Sequence, residues 1–327
     1  MRVVSLLPSA TEILCAIGAQ DLLIAKSHEC DWPGGLETLP SLTGQKIPPG
    51  LPAGEIDGLV RQELSESAGG QSLYTLNAGE LEALQPDLIL TQDLCDVCSI
   101  DLNTVREVAA RIGERSGRTP EIVSLNPHTV EDILDDHIRV GEAVGLRDRA
   151  LATVLRMRDR LFAAQEHVNA YEEGPVVGFF EWTDPIFVAG HWTVQLIERA
   201  GGRHPLNETI AAAEAGAAAG LSQGLRRAGK SVTVPSEVFS AVKPRAIIVC
   251  PCGLTLDEAE REAKLLFEQD WFRALPAVQA GKVAAVDGSQ MFNRPGPRVV
   301  EAFEWLVGWL QGRPELIPDG FPWRELG

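Results

Sequence analysis

The stretch RVVSLLPSATEILCAIGAQDLLIAKSHECDWP, residues 2–33, holds one complete strand–helix–strand unit. VVSLL (3–7) is a short apolar run of β-formers. Pro8-Ser9 then turns the chain into a helix at 10–17, and LLIAKS (22–27) is a second apolar run. Two strands joined through a helix lie parallel in one sheet, because the helix carries the chain back across the sheet face. The free N–H groups that open the helix face the same edge as the end of the first strand.

The same alternation runs through the rest of the chain and predicts an α/β fold with mainly parallel sheets. Further strands are expected at 87–92, 121–126, 176–182, 245–250 and 282–288, with helices at 55–67, 103–114 and 298–310, the last entered through Pro295 and Pro297. Between the halves, 130–168 is helical in pattern: Ile133, Leu134 and Ile138 recur at helical spacing, then Leu151, Val154, Leu155 and Leu161. Gly145 is expected to interrupt it and leave a second helix from about 148, about 30 Å long. With 327 residues, the chain suits two domains of about 150 each. The expected organisation is a first α/β lobe at 1–147, a linking helix at 148–170 and a second α/β lobe at 171–327. An Ala/Gly-rich stretch at 211–230 has little to bury and reads as a surface insertion.

A formal charge of −17 leaves nothing to replace the counterions of a phosphate backbone, which argues against nucleic acid and against an anionic membrane surface. No apolar run approaches the roughly 20 residues that span a bilayer. The first strand begins at Val3, with no basic leader or apolar h-region before it, so the expectation is a cytosolic protein with its six cysteines reduced.

In parallel sheets, ligands bind beyond the carboxyl ends of the strands. Applied strand by strand, that rule collects Pro8 and Ser9; then His28, Glu29, Cys30 and Trp32; then Cys95, Asp96 and Cys98; then Trp182, Asp184, His191 and Trp192; then Cys250 and Cys252; and lastly Arg294 and Arg298. Five of the six cysteines lie at strand ends; Cys15, beside Ile13 and Ile17 in a helix, reads as core.

These segments resemble the helical-backbone class of substrate-binding proteins that serve ABC importers, the superfamily of vitamin B12, siderophore and haem receptors. The resemblance rests on the opening strand, Pro-Ser turn, helix, Gly and strand, on LEALQPDLILTQ and VFSAVKPRAIIVC as counterpart segments of the two lobes, and on the linking helix. HECDWP, LCDVCSID, EWTDPIFVAGHW, PCG and FNRPGPR are most similar to the leaderless branch labelled cobalamin-binding. The resemblance implies a small-molecule ligand, a corrinoid or other metal chelate, held in an inter-lobe cleft without chemistry being done on it. Trp32, Trp182 and Trp192 would pack a flat ligand, and Arg294 and Arg298 would meet its peripheral amides or carboxylates. An ABC permease partner would follow only for an exported chain.

The Cys95-x-x-Cys98 pair stands beside Asp93 and Asp96, whose charge raises thiol pKa values and opposes redox catalysis. Three readings stay open. The thiols Cys30, Cys95, Cys98 and Cys252 hold zinc or an iron–sulfur cluster, or they pack the cleft as small polarizable groups, or they touch the ligand's own metal. The first would make the chain a metal or iron–sulfur protein, with enzyme activity conceivable, on the same scaffold. Glu181 and Asp184 lack an accompanying nucleophile or phosphate loop, so no catalytic constellation is assigned. Asp135-Asp136-His137 falls inside a helix and fails the Asp-x-His-x-x-Gly spacing of histidine-ligated B12 enzymes, and it is set aside.

Overall fold

The computed structural model describes residues 1–66, 72–93, 100–169, 171–211 and 226–327, and they divide into two units. The first comprises 1–51, 58–127 and 132–156; the second comprises 52–57, 128–131 and 157–327.

In chain order the first part holds β1 (Val3–Ser5), α1 (Pro8–Ala16), β2 (Leu23–Ala25), β3 (Thr43–Gln45), α2 (Ala53–Glu66) and β4 (Tyr74–Leu76). It continues with α3 (Ala78–Leu84), β5 (Leu88–Thr91), α4 (Leu102–Ser116), β6 (Glu121–Ser124), α5 (Val130–Ala143) and α6 (Arg147–Gln165). The sheet order β2-β1-β5-β6 is parallel throughout, and β3 and β4 form a separate antiparallel pair. Both sheet faces are covered, as a parallel sheet requires. Val3, Leu88 and Leu90 enter one core cluster with Ile13 and Leu14 of α1, while Val4 and Ile89 enter another with Val105 and Ile112 of α4. Asp101 caps α4 through Thr104 N at 2.8 Å, and Gly117, at φ 76°, closes it. The helical zone breaks where expected: Gly145, at φ 74°, separates α5 from the 19-residue α6.

The second part holds β7 (Val177–Trp182), β8 (Phe187–Val188), α7 (His191–Arg199), β9 (Ile210–Ala211), β10 (Arg226–Arg227), β11 (Val232–Thr233) and α8 (Ser236–Ala241). After these come β12 (Ala246–Val249), α9 (Leu256–Phe267), α10 (Asp270–Arg273), α11 (Pro276–Gln279), β13 (Val283–Val286), α12 (Val299–Leu310) and β14 (Trp323–Glu325). The six-stranded sheet runs β11-β8-β7-β12-β13-β14. Its centre, β7, β12 and β13, is parallel, and β8, β11 and β14 add antiparallel edges. Phe180, Ile247, Val249 and Val283 pack on Phe239, Phe272 and Ala263. Thr255 and Glu258 form a capping box at the start of α9. β9 and β10 pair antiparallel at the base of the Ala/Gly-rich stretch, most of which lies outside the described residues.

Among the described residues no helix is long and apolar enough to cross a membrane.

Candidate functional site

In the second unit β7, β12 and β13 end side by side. Each releases a loop tied by hydrogen bonds, through half-buried Glu181 beyond β7 and β12 and through buried Asp287 beyond β13. β7 runs into Glu181-Trp182-Thr183-Asp184. The Glu181 carboxylate accepts from Gly190 N at 3.2 Å and from the Ser231 hydroxyl, and the Glu181 carbonyl accepts from Cys252 N at 3.0 Å. One acidic residue thus fixes the ends of β7 and β12 and the entry to α7. Trp182 is half-buried, and its indole N–H donates to the Asp184 carbonyl at 3.0 Å, folding the ring over the turn. Asp184 is exposed. Gly190 has to be glycine: a Cβ there would lie 2.3 Å from Ser231 N.

His191 opens α7 in the left-handed region, at φ 49°. Its Nδ1 lies 3.2 Å from Nδ1 of His128, and burial lowers its pKa to about 4, so it stands as a neutral imidazole. Trp192 beneath it is 7% exposed, stacks on the His191 ring and donates its indole N–H to the Phe292 carbonyl at 2.6 Å. Trp192 therefore supports the ring that does reach the surface.

β13 runs into Asp287, which accepts from Leu256 N at 3.1 Å and Gln290 N at 2.9 Å. Burial raises its pKa, and the charge of Arg294 works against that rise. Gly288 allows β12 and β13 to close up, since a Cβ there would sit 1.8 Å from the Pro251 carbonyl. The two arginines expected to meet a ligand are 7% and 8% exposed. Arg294 donates to the Ser289 hydroxyl at 3.2 Å, and Arg298 donates to Gln290 Oε1 at 2.8 Å and to Glu301 at 3.3 Å. Each arginine thus gives a donor to the loop itself, and Arg298 a second one to Glu301 of α12.

The strand-end edge of the first unit is built largely from hydroxyls. Pro8 opens α1 and Ser9 is buried behind it. Thr11 Oγ1 donates to Ser5 Oγ at 2.9 Å and lies 3.0 Å from Cys30 Sγ, so the Cys30 thiol, 2% exposed, belongs to an internal hydroxyl chain. Thr43, at the start of β3, is the hub of the loop after β2. Its hydroxyl lies 2.9 Å from Ser27 Oγ and 2.6 Å from His28 Nδ1, and accepts from His28 N at 3.0 Å. Tyr74, in the partner strand β4, donates to Glu29 Oε1 at 2.7 Å and packs on the His28 ring. Burial lowers the His28 pKa, and its Nε2 has no partner among the described residues. Trp32 is half-buried.

Asp96, Cys95 and Cys98 lie outside the described residues. Among the described residues, no group of three or more His, Cys, Asp or Glu side chains is placed to hold a metal ion. Cys252 is half-buried at the end of β12, and Cys250 is fully buried with its thiol pKa raised by burial. Cys15 packs against the first core cluster, and burial pushes its thiol up to about 11. Thiols so raised are neutral packing groups at pH 7.

Sequence reasoning did not find Thr43, Tyr74, His128 or Glu262. The last, on α9, accepts from Ala53 N at 3.0 Å and from the Thr183 hydroxyl at 2.5 Å. None of the four sits in a motif; each reaches its partner from a distant segment.

Two α/β units with ligand-type residues gathered at strand carboxyl ends are the construction of a binding protein. Residues 3–289 match the periplasmic binding protein family, and the chain belongs to it. Its members are binding proteins rather than enzymes. No curated protein matches the sequence. Solved structures with a similar fold include a periplasmic heme binding protein from Pseudomonas aeruginosa, at 19% identity and TM-score 0.65, covering 95% of this chain and 92% of that one. Another is the periplasmic vitamin B12 binding protein BtuF of Vibrio cholerae, at 20% identity and TM-score 0.63, covering 96% and 98%. A third is the heme-binding protein BhuT in complex with two hemes, at 19% identity and TM-score 0.66, covering 95% and 98%.

Proposed function

We propose that this chain binds a flat, metal-chelating macrocycle of the corrinoid type at its strand-end edges and hands it on unchanged, as a substrate-binding component for an ABC permease. The observation that carries this reading is the edge formed by β7, β12 and β13. There a half-buried indole, Trp182, and a neutral imidazole, His191, stand on a framework already satisfied by Glu181, Asp287 and backbone amides. A large apolar ring system gains from aromatic faces and from a few fixed polar groups around its rim. Fold relatives that are vitamin B12 and heme binding proteins support the ligand class.

On the first unit, Pro8, Ser9, His28, Glu29 and Trp32 supply the corresponding edge. His28 and Glu29 are held in place by Thr43 and Tyr74, so little ordering is left to be done on binding. Asp96 and Asp184 would receive amide donors on the ligand's periphery. Arg294 and Arg298 act from behind, keeping the loop after β13 in shape.

The test is titration of the pure protein with cyanocobalamin and, separately, with hemin, followed by absorbance and calorimetry. Saturable binding of one of them is expected, weakened about tenfold or more, roughly 1.4 kcal/mol, by Trp182→Ala. Binding of neither, or equal affinity in wild type and Trp182→Ala, overturns the reading.

A further inference from the structure

The outward face of α6 carries a pattern that binding at the strand ends does not use. Leu155 and Phe162, seven residues apart and so on one side of the helix, are 62% and 63% exposed. Beside them runs a second exposed line, Arg149, Ala152, Arg156, Asp159, Ala163 and, one residue past the end of the helix, Glu166, spaced 3, 4, 3, 4, 3. That is the spacing of a coiled-coil seam, and from Arg149 to Ala163 it extends about 21 Å along the helix.

The charges on this line are sorted by position. The two arginines lie in its N-terminal half and the two acids in its C-terminal half. None of the four makes an ion pair among the described residues: Arg149 donates to the Gly18 carbonyl and Arg156 to the Thr153 hydroxyl. The other arginines of this stretch are already committed, Arg158 to Glu131 at 2.7 Å and Arg160 to Glu304. A parallel partner helix would set arginine against arginine. An antiparallel copy of the same helix sets Arg149 against Glu166, Ala152 against Ala163 and Arg156 against Asp159, each pair occurring twice about a twofold axis. The alanines permit close approach. Leu155 and Phe162 of one copy then flank Phe162 and Leu155 of the other, covering apolar surface that is otherwise in water.

We infer that α6 is the self-association face of this protein and that its occupant is a second copy of the chain, antiparallel across α6. A chain of formal charge −17 repels its copies over most of its surface; this line carries equal numbers of positive and negative groups and so offers a place where contact is not opposed. Such an interface is isologous, as twofold dimers require. One helix pair covers less than the roughly 800 Å² per partner of a tight complex, so the dimer is weak and concentration-dependent.

Sedimentation and light scattering of the full chain, from low micromolar to sub-millimolar concentration, should show a reversible monomer–dimer equilibrium. Phe162→Glu and Leu155→Glu should each abolish it. Arg156→Glu and Asp159→Arg should each weaken it at least tenfold, and the double exchange of both should restore it. All these positions are exposed, and unchanged thermal melts will show that the variants fold. A wild-type monomer at every concentration, a dimer indifferent to Phe162→Glu, or a double exchange no better than the single ones overturns the inference.

Discussion

In the first unit, the loops beyond the strands are tied mainly through hydroxyls, Ser5 and Thr11 with the Cys30 thiol in one chain and Ser27 and Thr43 with the His28 ring in another, with one carboxylate, Glu29, accepting from Tyr74. In the second unit the same positions are tied by carboxylates: half-buried Glu181 and buried Glu262, each accepting from a backbone N–H and a hydroxyl, and buried Asp287, accepting from at least two backbone N–H groups. Neutral hydroxyl pairs contribute about 1 kcal/mol each, whereas a buried carboxylate gathering backbone N–H groups leaves several donors orphaned when it is removed. The second edge is therefore the stiffer of the two, and its loops should tolerate substitution less.

Substitutions can break or sharpen that contrast. The largest effect is expected from Asp287→Ala, which strands Leu256 N and Gln290 N in buried surroundings and removes the charge opposite Arg294. A loss of about 3–4 kcal/mol in denaturant unfolding is expected, and a loss under 1 kcal/mol would erase the contrast. Next comes acid. Burial lowers His137 from 6.5 to about 4, and His204 and His28 in the same direction. The stability that follows from neutral imidazoles is present above pH 6.5 and is lost as pH falls through about 4, on the order of 3 kcal/mol for His137. Asp136, raised from 3.8 to about 6 by burial, acts in the opposite sense: what it contributes is present below 3.8 and lost as pH rises through about 6. His137→Phe should flatten the acid limb of a pH–melting curve; an unchanged limb would assign the loss to other groups. Thr43→Val should cost about 1–2 kcal/mol and leave the second unit's unfolding unchanged, read by hydrogen exchange at 27–29 and at 287–290. A smaller response is expected from Ser231→Ala, which removes one of the donors that the Glu181 carboxylate accepts, within about 1 kcal/mol by the same unfolding assay.

The sheets were legible because VVSLL, DLILTQ, VVGFFEW and RAIIVC are runs buried on both faces, and the break in the long helical zone because Gly145 carries it. The short strands β3, β4, β8 and β11 were not legible. Two or three half-exposed residues such as Thr43-Gly44-Gln45 give no room for a period of two. The edge residues could be read from strand ends alone, but their partners could not. Nothing near His28 points to Thr43 or Tyr74, and nothing near Thr183 points to Glu262. The formal charge of Arg298 is visible in the sequence; that Gln290 and Glu301 take up part of its guanidinium is visible only in the fold.

The most direct test of the central claim is hydrogen exchange on the pure protein with and without saturating cyanocobalamin or hemin, whichever binds. Ligand seated at the strand ends should slow exchange in 26–33 and in 182–193 and leave α4 and α12 unaffected. Protection confined to helices away from those loops would contradict the account.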